Sequence, residues 1–167
     1  MSEFCPKRNP IQLCFAIHLN YWLQKNKPFI ATYIKDSGQL LDLLQDLGPL
    51  PSNARLFVAD ANLMYTNIDT DHALKVISEW LESIIDQLPP DIPLPAVIDA
   101  MAIVMRNNLF EWGDKRFLQL LGTAMGTLSA VMWNNAYYGT HEKNKFIPTY
   151  SHCLLLFRRF VNDIFGV

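Results

Sequence analysis

Asp60 ends a short apolar run, and its residue type and position are those of a possible metal ligand. The preceding residues, Leu56–Ala59, include β-branched and aromatic side chains, and this pattern predicts a buried strand. A carboxylate at the end of a buried strand is costly unless a positive group meets it. A metal ion is one such partner, and a cap on the next turn is the alternative. Asp60 is therefore a candidate metal ligand or a candidate cap.

A second acidic corner lies near the end of the sequence. The residues from Leu154 to Val167 predict a strand, a tight turn at Asn162–Asp163 and a second strand. If these strands lie beside the strand that ends at Asp60, the two acidic corners become neighbours. Such a juxtaposition is the geometry that a two-metal site for phosphoryl transfer needs.

Three motifs follow one another along the chain: Asp60–Ile68, Gly122–Thr127 and Phe160–Asp163. In this order they resemble the motifs of a reverse transcriptase palm, and the pattern is most similar to that of Penelope-like retroelements and related non-LTR-type elements. Residues 33–37 and 47–51 also resemble that family's approach to its first motif, and the similarity extends from Tyr21 to the end. The resemblance implies an α+β fold in which helices back an antiparallel palm sheet.

The resemblance also implies an activity and a role for particular residues. The activity is metal-dependent RNA-directed DNA polymerisation, in which a nucleotide is transferred to a primer 3′-hydroxyl. The implied partners are an RNA template, a DNA primer and deoxynucleoside triphosphates, and the implied cofactor is a pair of Mg²⁺ ions. Asp60 and Asp163 would bind metal, Asn162 would hold a catalytic position, and Tyr65 would exclude a ribose 2′-hydroxyl. The implied nucleotide-binding residues are Ala61, Asn62, Tyr65, Gln119, Gly122 and Gly126.

Asn162 departs from the family pattern, which has two consecutive acids in the last motif. An amide oxygen can coordinate Mg²⁺ but brings no charge, whereas Mg²⁺ prefers charged carboxylates. Adjacent residues of an extended strand point to opposite faces, so Asp163 is not expected to replace the missing acid unless a tight turn relaxes that rule. We therefore expect severely weakened metal binding and impaired or absent polymerase activity.

Structural roles compete with the functional roles at several of these positions. From the sequence alone, a core aromatic at the start of a helix is the better interpretation of Tyr65. The Gly122–Thr127 loop is also typical of a turn that leads into a helix, with Thr127 as the cap. Arg158 and Arg159 could contact a primer phosphate, but the favoured prediction places them at the sheet rim, one exposed and one paired.

Hydrophobic periodicity predicts an α+β domain with helices between a few strands. The first helix is expected to bury Leu13, Ile17 and Trp22, and a polar turn is expected over 141–145. Asp36 and either Asp69 or Thr70 are candidate helix caps. Predicted helices cover residues 11–24, 36–47, 70–88, 96–108 and 127–139; a strand covers 55–60, and a hairpin covers 109–119.

Composition limits the class of protein. The 167 residues are 50% hydrophobic and 12% aromatic, enough for one domain with a core and too apolar for disorder. The net charge of −2 and pI near 6.0 lack the basic character of a free-standing nucleic-acid binder. Cys5, Cys14 and Cys153 form no C-x-x-C motif and are expected to be reduced, mostly buried thiols. No apolar run has membrane-spanning length, and an intracellular location, nuclear or cytoplasmic, is expected.

Two functional hypotheses follow. The first is a truncated and impaired reverse transcriptase palm: residues 1–20 are a remnant of the fingers or a ragged start, and 21–167 are a partial palm cut off at its last catalytic motif. Fingers and thumb would be largely missing, and the uncovered surfaces would favour self-association. The second is a non-catalytic structural or interaction protein derived from such a palm. A generic metal-dependent nucleotide-binding domain is weaker, because it does not explain three motifs in polymerase order.

Overall fold

Helices and short strands alternate along the chain, and the computed structural model describes residues 10–124 and 127–167. The six α-helices of this part of the chain are α1 (Pro10–Lys25), α2 (Ser37–Asp46), α3 (Thr70–Ser83), α4 (Leu94–Arg106), α5 (Ala130–His141) and α6 (Ile147–Tyr150). Its strands are β1 (Phe57–Asp60), β2 (Leu109–Trp112), β3 (Lys115–Leu118), β4 (Phe157–Phe160) and β5 (Asp163–Gly166). The predicted α+β class is confirmed at this level.

The core lies among α1, α3, α4 and α5. The positions predicted to form the apolar faces of the helices over 70–88 and 96–108 are buried, including Ile77 and Met101, both 0% exposed. The exception is Ile85, which is 43% exposed because α3 ends at Ser83 and Ile85 lies in the turn that follows. The prediction for α1 was partly wrong, because Leu13 and Ile17 are 36% and 52% exposed and the helix buries a different face. That face comprises Ala16, Leu19, Trp22 and Leu23.

Two predicted helix starts are confirmed by their caps. The Asp36 side chain accepts a hydrogen bond from the Gln39 backbone N–H at the start of α2, and the Asp69 side chain accepts one from His72 at the start of α3. Gly48 follows the end of α2 with a φ of 67°, as a helix-terminating glycine does.

The region around α5 differs from prediction. The helix begins at Ala130 rather than near Thr127, and in the described structure the preceding Ser129 makes no side-chain capping bond. The polar turn expected over 141–145 is instead a continuation of α5 into a π-helical turn, Glu142–Phe146. Glu142 is buried there because it is paired with Arg159, which the sequence pattern did not show.

Three strands form an antiparallel sheet in the order β1–β5–β4. One face places Phe157 and Arg159, 5% and 1% exposed, against the helices. Cross-strand register puts Val58, Asp60, Phe160 and Asp163 on the opposite face. The prediction that β1 is buried was wrong: all four of its residues are exposed, because it is an edge strand and its apolar run faces an open surface.

Other predictions concern the hairpin, the cysteines and the membrane. The hairpin over 109–119 is confirmed as β2–β3, with Gly113 in its turn at a φ of 64°. The two cysteines within the described residues, Cys14 and Cys153, are exposed rather than buried, and Cys5 lies outside those residues. No helix of the described chain is long and apolar enough to cross a membrane.

Candidate functional site

Asp60, Asn162 and Asp163 meet at one end of the β1–β5 pair. The register places Asp60 directly opposite Asp163, and the Ala61 N–H donates a 2.9 Å hydrogen bond to the Asn162 carbonyl. The β1–β5 pairing thus brings together Asp60 and Asn162, which are 102 residues apart in the sequence. Three residues named from the sequence as catalytic form one cluster.

The Asn162 side chain contacts Asp60 through its amide nitrogen. Nδ2 donates a hydrogen bond to Asp60 Oδ1 at 2.6 Å. A charge-assisted bond of this kind is stronger than one between neutral groups. The position at which the family pattern has an acid therefore presents an N–H to Asp60, and one Asp60 oxygen is already engaged by a donor.

Asp163 lies on the same face of the sheet as Asp60. The turn lies one residue earlier than predicted. It consists of Val161 and Asn162, so Asp163 is the first residue of β5 and a direct cross-strand partner of Asp60. Directly opposed like charges repel each other, which makes this pair a place where a cation would be favourable.

Val161 adopts a backbone conformation that is unusual for its residue type. Its φ of 55° lies in the left-handed region, where a β-branched side chain is strained. Such a conformation costs on the order of 1–3 kcal/mol and persists only where surrounding contacts impose it. The turn that carries Asn162 is therefore held by the structure around it.

A cavity of about 850 Å³ opens beside the acidic pair. It lies between the β-sheet and the start of α2, and both Asp60 and Asp163 line it. Lys35 is at its edge, where its Nζ lies 3.8 Å from Asp36 Oδ2. Most of the remaining lining is apolar: Ile34, Leu40, Val58, Ala59, Phe160, Ile164 and Phe165.

The motif Gly122–Thr127, called the glycine loop below, contacts the segment that follows β1 through Gly122 and Thr123. The Gly122 N–H donates to the Ile68 carbonyl at 2.7 Å, and the Thr123 N–H donates to the Tyr65 carbonyl at 2.7 Å. Gly122 has a φ of 74°, and a Cβ there would lie 2.2 Å from the Tyr65 carbonyl oxygen. Only glycine fits this approach. Gly126, the second glycine named from the sequence, lies outside the described residues.

The other residues named as nucleotide-binding are spread over the neighbourhood. Ala61 is half-buried beside Asn162, and Asn62 is exposed. Tyr65 is partly buried, and this burial raises the pKa of its hydroxyl, while the charge of Arg159 opposes the shift. Gln119 lines a different, smaller cavity of about 180 Å³ near Asp69. Their contacts with nucleotide stay predictions.

Arg159 is paired, as expected for one of the two arginines, but its predicted place at the sheet rim was wrong. Instead of lying at the sheet rim it is 1% exposed, and its guanidinium bonds Glu142, Asn135 and the Val161 carbonyl. Arg158 is partly buried, which lowers the pKa of its guanidinium, and it donates to the Phe157 carbonyl. The acid that pairs with Arg159 lies 17 residues earlier, so no local pattern showed the pair.

The side chains at the site do not fit a pair of Mg²⁺ ions. In the described part of the chain, no group of three or more His, Cys, Asp or Glu residues is placed to hold a metal ion. Asp60 and Asp163 supply two carboxylates, and Asn162 turns a donor toward Asp60. Two dications beside two carboxylates are poorly neutralised, and Mg²⁺ requires oxygen acceptors.

Neither a protein-family model nor a curated protein matches the chain. Any function inferred for the chain therefore depends on its residues, on the motif resemblance and on the geometry of the described site.

Proposed function

We propose that this chain is a reverse transcriptase-type palm whose nucleotidyl-transfer centre is impaired by Asn162. The observation that carries the proposal is the meeting of Asp60, Asn162 and Asp163 on neighbouring antiparallel strands. These residues come from the first and last of the three motifs. The middle motif also lies close, because Gly122 and Thr123 bond the segment after β1.

The chemistry of the proposed lineage explains why these positions matter. In-line phosphoryl transfer from a triphosphate to a primer hydroxyl is assisted by divalent cations held on carboxylates. Asp60 and Asp163 are the charged groups available for this purpose, and they line the 850 Å³ cavity together. Asn162 lacks the charge of a third carboxylate, and its amide occupies an Asp60 oxygen. The expected consequence is weak cation binding and little or no polymerase activity.

The proposed substrates are an RNA template, a DNA primer and deoxynucleoside triphosphates. Tyr65 is proposed to exclude a ribose 2′-hydroxyl, with Ala61 and Asn62 near the triphosphate. Gly122 would allow the backbone to approach the template–nucleotide pair, since its φ of 74° keeps this loop against Tyr65. Each of these roles comes from the resemblance.

Cation binding tests whether the missing charge at position 162 is what impairs the site. We expect Asn162→Asp to bind Mn²⁺ or Tb³⁺ at least about tenfold more tightly than the natural chain, because a nearby opposite charge is worth a few kcal/mol. Titration by Tb³⁺ luminescence or calorimetry measures the change. Adding Asp60→Ala should abolish the gain, whereas Asp86→Asn, which removes an exposed acid of the Ile85–Gln87 turn, should not. Equal affinity of the natural chain and Asn162→Asp would contradict the proposal.

Primer extension on an RNA template, with Mg²⁺ and with Mn²⁺, tests the activity itself. Extension only after Asn162→Asp would support a sound palm that lost one charge. Extension by the natural chain that disappears with Asp60→Ala would show a working site despite Asn162, and the claim of impairment would be wrong. If Asn162→Asp binds cations without extending a primer, the polymerase assignment loses its support.

A non-catalytic interaction protein is the second candidate. It is favoured by the open sheet face, where Val58 and Phe160 are 80% and 43% exposed. Exposed apolar patches of this kind mark interaction surfaces. If Asn162→Asp gains no cation affinity while substitutions on this face alter association, the second candidate replaces the first.

A further inference from the structure

The buried Arg159 side chain donates four hydrogen bonds within the described structure, and one of them reaches the turn of the candidate site. Nη1 donates to the Val161 carbonyl at 2.8 Å and to Asn135 Oδ1 at 2.7 Å. Nη2 donates to the Asn135 carbonyl at 3.2 Å, and Nε donates to Glu142 Oε1 at 2.6 Å. The planar fork of arginine is suited to fixing several acceptors at once.

The acceptors of Arg159 are themselves fixed. Glu142 is 9% exposed, lies in the π-helical turn after α5 and accepts a second bond from the Thr32 hydroxyl. The Thr32 carbonyl in turn accepts the Arg159 backbone N–H at 2.8 Å. The guanidinium is thus anchored to α5, to the π-helical turn and to the segment before α2. Single π-helical turns inside helices are frequent at functional sites.

The Val161 carbonyl is the acceptor through which the Arg159 side chain contacts the turn. Val161 holds a φ of 55°, which its side chain disfavours, so the turn needs an external contact to keep it. The next residue, Asn162, makes the 2.6 Å bond to Asp60. Any release of the turn would therefore change the distance between residue 162 and Asp60.

We propose that Arg159 is a positioning residue that holds the Val161–Asn162 turn so that residue 162 stays against Asp60. Buried ion pairs are poor sources of stability, because desolvation offsets their attraction, and hydrophobic replacement is often neutral or stabilising. The Arg159–Glu142 pair, 1% and 9% exposed, is therefore assigned to geometry at the site rather than to stability.

The first measurement uses the natural chain and does not depend on the proposed function. The Asn162 side-chain amide signal in a ¹⁵N spectrum, assigned with Asn162→Ala, reports its bond to Asp60 through slowed hydrogen exchange. We expect Arg159→Met/Glu142→Met to keep the fold and to lose this protection by about tenfold or more. Met101→Ala, which opens the core at a 0% exposed position, should lower stability and keep the protection.

A conservative variant covers the case in which the double variant does not fold. Arg159→Lys keeps the charge beside Glu142 but loses the fork that reaches Val161. We expect it to lose the Asn162 protection as well. Retention of the protection in either folded variant would overturn the proposal.

The second measurement rests on the function proposed above and uses the Asn162→Asp background. We expect Arg159→Met/Glu142→Met to weaken its Tb³⁺ affinity by about 10- to 100-fold, as loss of a supporting contact does at metal sites. Unchanged affinity would contradict the positioning role. If Asn162→Asp binds no cation while Arg159 is intact, the proposed function fails, and the amide measurement alone decides the role of Arg159.

Discussion

Asn162 shows how one atom changes the character of a site. Its amide nitrogen lies where an aspartate would have a carboxylate oxygen, and it donates to Asp60 at 2.6 Å. An acid at the same position would instead add a like charge beside the Asp60–Asp163 pair. We therefore expect the natural residue to need no cation beside Asp60, whereas an acid at position 162 would favour a site that needs one.

Gly122 is the position where the candidate site tolerates least change. We expect Gly122→Ala to lower the free energy of unfolding by about 3 kcal/mol or more, since it combines left-handed strain with a clash against backbone. The clash is with the Tyr65 carbonyl oxygen, 2.2 Å from the added Cβ. Urea unfolding measures the loss.

Gly48→Ala is the matched control for this prediction. Gly48 has a similar φ of 67°, but a Cβ there meets nothing within 4 Å among the described residues. It should cost only about 1 kcal/mol. Equal losses at Gly48 and Gly122 would show that the contact between the glycine loop and Tyr65 contributes nothing.

At the scale of elements, α2 and α3 share a capping device but differ in packing. Each begins at an aspartate that accepts a backbone N–H. In the described structure α2 buries none of its side chains, whereas α3 buries six. Because burial supplies most helical stability in proteins, α2 depends on its cap far more than α3 does.

Amide hydrogen exchange should therefore distinguish the two helices. We expect the amides of α2 to exchange through local opening and those of α3 only near global unfolding. Asp36→Ala, which removes a cap worth about 1 kcal/mol, should speed exchange in α2 alone. If the backbone amides of α2 and α3 were equally protected from exchange, the expectation that α2 depends mainly on its cap would be wrong.

The packing of α5 on α3 predicts a loss of stability at alkaline pH. Burial raises the pKa of Tyr137 above its usual 10.0, and the charge of Asp69 raises it further. Below pH 10 the hydroxyl is protonated in both folded and unfolded chains. As pH rises above that value the unfolded chain loses its proton first, so stability falls.

Tyr137→Phe should make this alkaline fall shallower, and Asp69→Asn should do so to a smaller extent while keeping a good cap. Thermal unfolding between pH 8 and pH 11 measures the slope. The raised pKa values of Tyr65 and Tyr138 leave part of the fall in place. A slope that is unchanged in Tyr137→Phe would contradict the assignment.

At the scale of the whole molecule, large apolar side chains are exposed at several places, and some of them lie on the open sheet face and its edge. Leu56 and Val58 are 62% and 80% exposed, and no strand of the described chain pairs with the outer edge of β1. Open edges and apolar faces promote association. We expect the predicted self-association to use this face and edge.

Val58→Lys should reduce self-association without loss of stability, since a charge on an edge strand opposes pairing. Analytical ultracentrifugation over a range of concentrations measures the change. Leu120→Lys, at a 77% exposed position outside this sheet, is the matched control and should have a smaller effect. If both variants act equally, association does not depend on the sheet.

Local signals in the sequence predicted much of the fold. The α3 pattern, with Ile77 and Trp80 on one face, determined which side of that helix is buried. Asp36 and Asp69 marked helix starts, and residues 109–119 were predicted as a hairpin. These features were predictable because each depends on the residue's own conformational preferences or on neighbours within a few positions.

Long-range contacts decided what local patterns could not. The burial of Arg159 depends on Glu142, and the exposure of β1 depends on its place at the sheet edge. The shift of the turn to Val161–Asn162 depends on strand register and on the Arg159 contact with the Val161 carbonyl. A local preference for Asn-Asp at a turn was overridden by these tertiary interactions.

The sequence by itself determined the α+β class, most of the helices, the candidate acids and the missing charge at position 162. The tertiary structure decided that Asp60 and Asp163 share a face, that the Asn162 amide bonds Asp60, and that Arg159 lies beneath the turn. The physical reason is the sequence separation of the interacting residues, because periodicity and capping act within one helix or strand. Register and buried charge pairing join residues 17 to 102 positions apart.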